Sequence, residues 1–321
     1  MNGHAAPSSR SMTPVMKSRT LLKKHSGSLV PLLALSLFAM PAAESAMGQV
    51  STDQLTGMSA RNIGPAGGTG RISAIDAVVA DPNVIYVGAA SGGLWKSVNG
   101  GQTWLTVFDD QGVSDIGAVA INQAFPAVVW VGVGERKGAM DPEAAAVYRS
   151  LDGGDTWAPG GLPGLEGVHR ILLHPTNPDV VYAGVSGVKW QDGGDPGVYR
   201  TMDGGQTWVS VLSVDERTRV SDLVMDLSDP ARLLAAMWSS RAYPWSVEPR
   251  GPGSGLFLTR DGGDSWISLG IGDGLPGGDL GRIALDAFRG DSRVVHALVE
   301  SDEGVLLRSY DRGRLWQTVR R

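Results

Sequence analysis

Ser97-Val-Asn-Gly-Gly-Gln-Thr-Trp104, Ser150-Leu-Asp-Gly-Gly-Asp-Thr-Trp157, Thr201-Met-Asp-Gly-Gly-Gln-Thr-Trp208, Thr259-Arg-Asp-Gly-Gly-Asp-Ser-Trp266 and Ser309-Tyr-Asp-Arg-Gly-Arg-Leu-Trp316 are five versions of one phrase. The skeleton is Ser/Thr-x-Asp-x-Gly-x-x-Trp, with Asn99 standing for the acid in the first copy and Asp152, Asp203, Asp261 and Asp311 in the others. Trp104, Trp157, Trp208, Trp266 and Trp316 follow one another at spacings of 53, 51, 58 and 50 residues. A period near 50 with turn residues at constant offsets marks a chain built from repeated supersecondary units.

Working outward from each phrase, the same four strand candidates recur. First strands are expected at 71–77, 115–121, 169–174, 221–226 and 282–286, and second strands at 84–88, 128–132, 180–184, 233–237 and 294–299. Third strands lead into the phrase at 94–97, 146–150, 198–201, 256–259 and 305–309, and the Trp begins the fourth. Asp81-Pro82-Asn83, Asn177-Pro178-Asp179 and Asp229-Pro230 separate first from second strands. Proline fixes φ and Asn or Asp bonds its own backbone, so these are turns. Short β-rich runs between such signals are strands. Four antiparallel strands per unit make the fold class all-β, a β-propeller of four-stranded blades with five blades visible.

Each position of the phrase has a structural task. The Gly pair supplies positive φ between third and fourth strands. The Asp or Asn oxygen accepts loop amides, and the Trp wedges between sheets while its N–H finds a partner. Four identical acids on four separate blades cannot converge on one substrate, so the repeated Asp is structural rather than catalytic.

The phrases resemble the Asp-box (BNR) repeat of sialidases, xyloglucan-active glycoside hydrolases and the sortilin-type (VPS10-like) domain. Arg61-Asn-Ile-Gly-Pro-Ala66, Gly92-Gly-Leu-Trp-Lys-Ser97, Ile116-Gly-Ala-Val-Ala120, Val131-Gly-Val-Gly-Glu135 and His174-Pro-Thr-Asn-Pro-Asp-Val-Val-Tyr182 extend the likeness to the N-terminal propeller of large exported sortilin-related or glycosyl hydrolase-like proteins. The resemblance covers about residues 55–321 and implies the fold more strongly than an activity, because one fold serves enzymes and binders alike.

The remaining chain sets boundaries. Arg10, Lys17, Arg19, Lys23 and Lys24 precede an apolar run from Leu29 to Ala39, and small residues follow to Gly48. This is the layout of a secretory signal peptide, with a run too short to span a bilayer. The expected organisation is 1–48 signal peptide, 49–66 an extension with a lone strand, and 67–321 the propeller. An exported protein, periplasmic or extracellular, follows, with no membrane span after signal removal. Without residues 1–48 the net charge moves from −5 to −9, which argues against a nucleic-acid partner. Cysteine is absent, which excludes disulfides and thiolate sites. His169, His174 and His296 lack metal-ligand spacing, so neither metal nor cofactor is expected. The lone strand at 55–63 has no blade to complete if the fifth unit owns a fourth strand at 316–319. Either five blades close with a spare strand, or the chain is an open arc of a larger propeller, which is the expectation. Unpaired edges on such an arc would invite self-association.

Ligands are expected on the face opposite the phrases, among the second-to-third and inter-blade connections. The longest such loop, Trp238 to Gly253, brings Arg241, Tyr243 and Trp245, and Trp190 lies in the corresponding loop before it. Long loops in compact repeats are disproportionately functional. Glycoside hydrolysis would need two carboxyl groups flanking the scissile bond. Asp109, Asp110, Glu135, Asp141 and Glu143 are the candidates, and spacing selects no pair among them. Arg71, Arg170 and Arg282 recur on first strands and are read as inter-blade ion-pair or carbonyl-bonding groups rather than a sialidase-type arginine triad. The expected function is binding of a protein segment or a glycan. The alternatives are a xyloglucanase- or sialidase-type hydrolase and a fragment of a larger multi-bladed protein.

Overall fold

The computed structural model describes residues 71–134, 145–165, 167–187 and 194–320. The expected signal peptide, the lone strand and the candidates Glu135, Asp141, Glu143 and Trp190 lie outside the described residues.

The described residues form five four-stranded antiparallel sheets, each meandering in sequence order, and one two-stranded hairpin. First strands are Ile72–Ala77, Ile116–Ile121, Val168–Leu173, Thr218–Met225 and Ile283–Ala287. Second strands are Ile85–Ala89, Val129–Val133, Val181–Val185, Leu233–Ser239 and Val295–Val299. Third strands are Gly93–Ser97, Val147–Ser150, Gly197–Thr201, Gly255–Thr259 and Val305–Ser309. Fourth strands are Leu105–Thr106, Ala158–Pro159, Val209–Leu212, Ile267–Leu269 and Gln317–Arg320. Each fourth strand starts one residue later than expected, at the residue after the Trp.

First strands of all five blades line one cavity of about 420 Å³, with Asp76, Val119, Arg170, Asp222 and Leu285 on its wall. The fold is thus an all-β propeller with the first strands innermost. The core is distributed as four buried apolar clusters, one at each junction between consecutive blades. Each junction has a plug and a seat. The plug is the residue near the start of the next first strand: Ile116, Val168, Val220 and Ile283 are fully or almost fully buried. The seat is the fourth residue of the preceding second strand. A Cβ on Gly88 would stand 2.5 Å from Ile116 Cγ2, and one on Gly132 or Gly184 would stand 2.7 Å from Val168 Cγ1 or Val220 Cγ1. Glycine therefore sets the spacing between sheets, and Ala236 takes its place at the fourth junction.

Backbone amides are also tied across the junctions. Asp76 Oδ2 accepts the Ile121 amide at 2.8 Å, and Asp222 Oδ2 accepts the Leu285 amide at 2.9 Å. Arg170 Nε donates to Asp222 Oδ1 at 2.6 Å, so one buried carboxylate of blade 4 holds blade 3 and blade 5 together. Arg170 is the inter-blade ion-pair group expected of it. Arg282 meets blade 4 differently, with its guanidinium 5.8 Å from the Trp238 ring centroid.

The repeated turn is built as its residue types require. In the second copy Ser150 Oγ donates to Asp152 Oδ1 and accepts the Gly154 amide, while Asp152 accepts the amide and hydroxyl of Thr156. Thr201 with Asp203 and Thr259 with Asp261 repeat this network. Asn99 keeps the amide-accepting half and donates its own NH₂ to Thr103. Gly153 and Gly154 have φ of 72° and 91°, and Arg312 occupies the corresponding left-handed position of the fifth copy at φ 64°. The Gly153 amide returns to Ala127 O and the Gly204 amide to Asp179 O, which places the phrases and the first-to-second turns on one face. Trp157 Nε1 donates to Val107 O at 2.6 Å and Trp208 Nε1 to Gly160 O at 2.8 Å, each in the preceding blade.

These networks make the fold sensitive to acid. The Thr156 hydroxyl, with the Thr156 amide and Ser150 hydroxyl, holds the Asp152 carboxyl well below the usual carboxylate range. The Thr207 hydroxyl does the same for Asp203, taking it to about 2, and the Ser265 hydroxyl lowers Asp261. A carboxyl with a depressed folded pKa stabilises above its unfolded value of about 3.9, and that contribution is lost as pH falls toward the folded value. The urea midpoint is expected to drop between pH 5 and pH 2. A variant with Asp152, Asp203 and Asp261 all changed to Asn should show a flatter profile over that window, and an unchanged profile would refute this origin of acid sensitivity.

Candidate functional site

The connection from second to third strand in blade 4 is a projecting hairpin, in which Arg241–Tyr243 pairs with Ser246–Glu248. The sequence suggests a loop there. The pairing forms because Ala242 and Val247 face each other around a Tyr-Pro-Trp turn. At its tip the Tyr243 and Trp245 rings are stacked, with centroids 5.8 Å apart and planes at 19°. Trp245 is 82% exposed, so the pair presents an open aromatic face to solvent. The Arg241 guanidinium lies 5.2 Å from the Tyr243 ring centroid. An offset ring pair backed by a cation is a rigid platform with a large apolar surface.

The base of the hairpin is anchored. Arg217 Nη2 contacts Glu248 Oε2 at 2.7 Å, and Trp238 Nε1 donates to Pro249 O at 2.6 Å. Arg250 reaches blade 5 through Asp302 and donates to Ser301 O at 2.8 Å. The hairpin therefore stands on a fixed base at the edge of the face opposite the phrases. Of the four residues expected to contact ligand, the structure brings Arg241, Tyr243 and Trp245 together.

Asp109 and Asp110 lie on a one-turn 3-10 helix, Asp109–Gln111, between blade 1 and blade 2. They line a rim cavity of about 600 Å³ that extends to Asp155, Thr156 and Trp157 of the next blade. Consecutive residues on a 3-10 turn point about 120° apart, so these two carboxylates diverge. His174 Nδ1 accepts the Asn177 amide at 3.1 Å and caps its own turn. Among the described residues no group of three or more His, Cys, Asp or Glu is arranged to hold a metal ion. No helix among them is long and apolar enough to cross a membrane.

Comparison with known proteins finds similarity to proteins named xyloglucanases. It is 31% identical over 232 residues to a xyloglucanase of Paenibacillus sp, covering 62% of this chain and 21% of that protein. It is also 31% identical over 229 residues to a xyloglucanase of Hypocrea jecorina, covering 64% of this chain and 26% of that protein. The chain thus spans about a fifth to a quarter of the length of these curated relatives. No protein-family profile matches. Among solved structures, the GH74 enzyme of Niastella koreensis superposes with a TM-score of 0.56 at 16% identity, covering 77% of this chain and 38% of that one. An ancestral GH74 enzyme superposes with a TM-score of 0.56 at 18% identity, over 81% of this chain and 33% of that one. At these identities the likeness establishes the fold. The sequence similarity to xyloglucanases is partial, covering less than two thirds of this chain.

Proposed function

We propose that the chain is an exported propeller that binds a glycan, with the Tyr243–Trp245 platform as its principal contact. The supporting observation is the stacked, solvent-facing ring pair on an anchored hairpin. Sugar rings present apolar C–H faces of matching size, and a pre-stacked pair loses little conformational freedom on binding. The relatives named xyloglucanases suggest a β-linked plant cell-wall polysaccharide as the ligand class. This reading keeps the Asp-box turns structural and places the ligand on the opposite face.

The test is affinity electrophoresis and titration calorimetry with xyloglucan and with unbranched cello-oligosaccharides. Trp245→Ala and Tyr243→Ala are each expected to weaken binding about tenfold, the loss of one aromatic contact. The exposed position of Trp245 predicts an unchanged melting temperature for its variant. Parent-like retention by both variants, or no retention of any polysaccharide by the parent, would sink the proposal.

The partial similarity to xyloglucanases also favours a hydrolytic reading, with Asp109, Asp110 and Glu135 as carboxylate candidates. Reducing-sugar release from xyloglucan that disappears in Asp110→Asn or Glu135→Gln would establish it in place of binding alone.

A further inference from the structure

A cavity of about 420 Å³ lies at the junction of blade 4 and blade 5. That volume falls within the roughly 300–1,000 Å³ of small-molecule pockets. Its floor is Leu275, in the connection leading out of blade 4, and Leu307, on the third strand of blade 5. Both are buried in the apolar cluster of this internal junction. Its rim is polar. Ser301, Asp302 and Glu303 form the second-to-third turn of blade 5, and Thr318 stands exposed on the fourth strand. A mostly apolar surface with a few placed polar groups is how ligand pockets are built.

The cavity adjoins the aromatic hairpin and opens on the same face. Arg250, two residues past the hairpin's second strand, donates to Ser301 O at 2.8 Å and pairs with Asp302, both on the rim. The Gly251 amide donates to Leu280 O at 3.4 Å, in the connection between the two blades. The rigid base of the platform is thus also one support of the cavity. The charged side chains lining the cavity are Asp302 and Glu303, both acids. Arg250 faces two carboxylates, Asp302 and, at 3.9 Å, Glu300.

We infer that this cavity is a second subsite for the glycan held on the Tyr243–Trp245 rings, and that it takes a neutral, hydroxyl-rich sugar unit. The inference rests on the platform being a glycan contact. Carboxylate oxygens accept sugar hydroxyls, the Ser301 and Thr318 hydroxyls donate or accept, and the apolar floor suits a C–H face. A uronate unit would bring its own negative charge against Asp302 and Glu303, which selects for the neutral sugar. A chain that reaches from the stacked rings past Arg250 makes the second contact as an intramolecular event. Affinity therefore rises with chain length, which stacking on the platform alone does not require.

Titration calorimetry of the full chain with cello-oligosaccharides of increasing length, and with oligogalacturonides of the same lengths, tests the inference. The parent is expected to bind cellohexaose about tenfold or more tightly than cellobiose. Thr318→Trp places a large ring in the cavity from a strand position that suits aromatic residues, and it should remove that advantage with cellobiose affinity and melting temperature unchanged. Glu303→Ala, at an exposed turn position, should weaken cellohexaose about fivefold and leave cellobiose alone, and it carries the test if the Trp variant is unstable. Trp245→Ala should weaken both ligands. Oligogalacturonides should show no gain with length. Three results overturn the inference and leave the platform reading standing: no length dependence in the parent, cellohexaose bound by both cavity variants as by the parent, or an equal gain with length in the acidic series. Binding of every ligand unmoved by Trp245→Ala overturns the platform reading and this inference with it.

Discussion

Gly132→Leu is expected to disrupt folding strongly, because its site is closed by a packed side chain and a backbone atom. A Cβ there would lie 2.7 Å from both Val168 Cγ1 and the Val168 carbonyl oxygen. Val168 is fully buried, and its first strand also contacts the neighbouring first strands, so it has nowhere to retreat. Forcing extra carbons into a packed interior costs roughly 1–3 kcal/mol where the surroundings can give. Here a backbone atom is in the way, so a loss of about 3 kcal/mol or more is expected, a large part of the ~5–15 kcal/mol that stabilises a typical domain. Gly272→Ala is the control. No heavy atom lies within 4 Å of its added methyl and its φ is not left-handed, so it should be neutral or slightly stabilising. Chemical denaturation of the two proteins decides the matter. Equal midpoints would show that the blades slide apart easily and that glycine does not set their spacing.

Asp222→Ala is expected to have the second-largest effect. Its buried carboxylate accepts the Leu223 and Leu285 amides and the Arg170 guanidinium. Removing it leaves a buried amide of blade 5 without an acceptor, at about 1–3 kcal/mol, and releases Arg170. Because Arg170 is partly solvated, its own loss is small. The total expected is about 2–4 kcal/mol, and it should appear as a blade-junction defect, with amide exchange accelerated at Leu285 and neighbouring positions of blade 5. Asp222→Asn keeps an acceptor for one amide and should lose less than half as much. If Asn and Ala behave alike, the amide bond is not what the carboxylate contributes.

The hairpin substitutions bear on function rather than stability, and the acid profile on the turns, so the predictions sort by layer. Junction residues govern whether the blades stay together. Turn residues govern pH tolerance. Tyr243 and Trp245 govern what the opposite face can hold.

Strand positions, the turn chemistry and the blade architecture were legible because they rest on local rules. Period-two and period-fifty patterns, Gly pairs and Pro turns all act within a few residues of themselves. The inter-blade role of Arg170 was legible too, from the recurrence of Arg on the expected first strands. The aromatic platform was half legible: Arg241, Tyr243 and Trp245 stood out by loop length, but the stacking depends on a hairpin register that a Pro-containing stretch does not announce. The inter-blade pairs Tyr86 with Lys96 and Tyr182 with Arg200, whose hydroxyl and cation both donate to a carbonyl of the next blade's turn, Gly153 O and Gly262 O, went unread, although a signal existed. Lys96, Arg149, Arg200 and Arg308 each directly precede the Ser or Thr of the repeated phrase. Their meaning appears only when the facing second-strand residue and the next blade's turn, more than 50 residues downstream, come together.

By itself, then, the sequence determined the elements, their order and the turns that join them, since hydrogen bonding and steric preference within each unit depend on neighbours in the chain. Tertiary structure decided how the blades meet. Which glycine is a seat and which carboxylate bridges three blades are properties of distance between sheets, and no local rule encodes that distance.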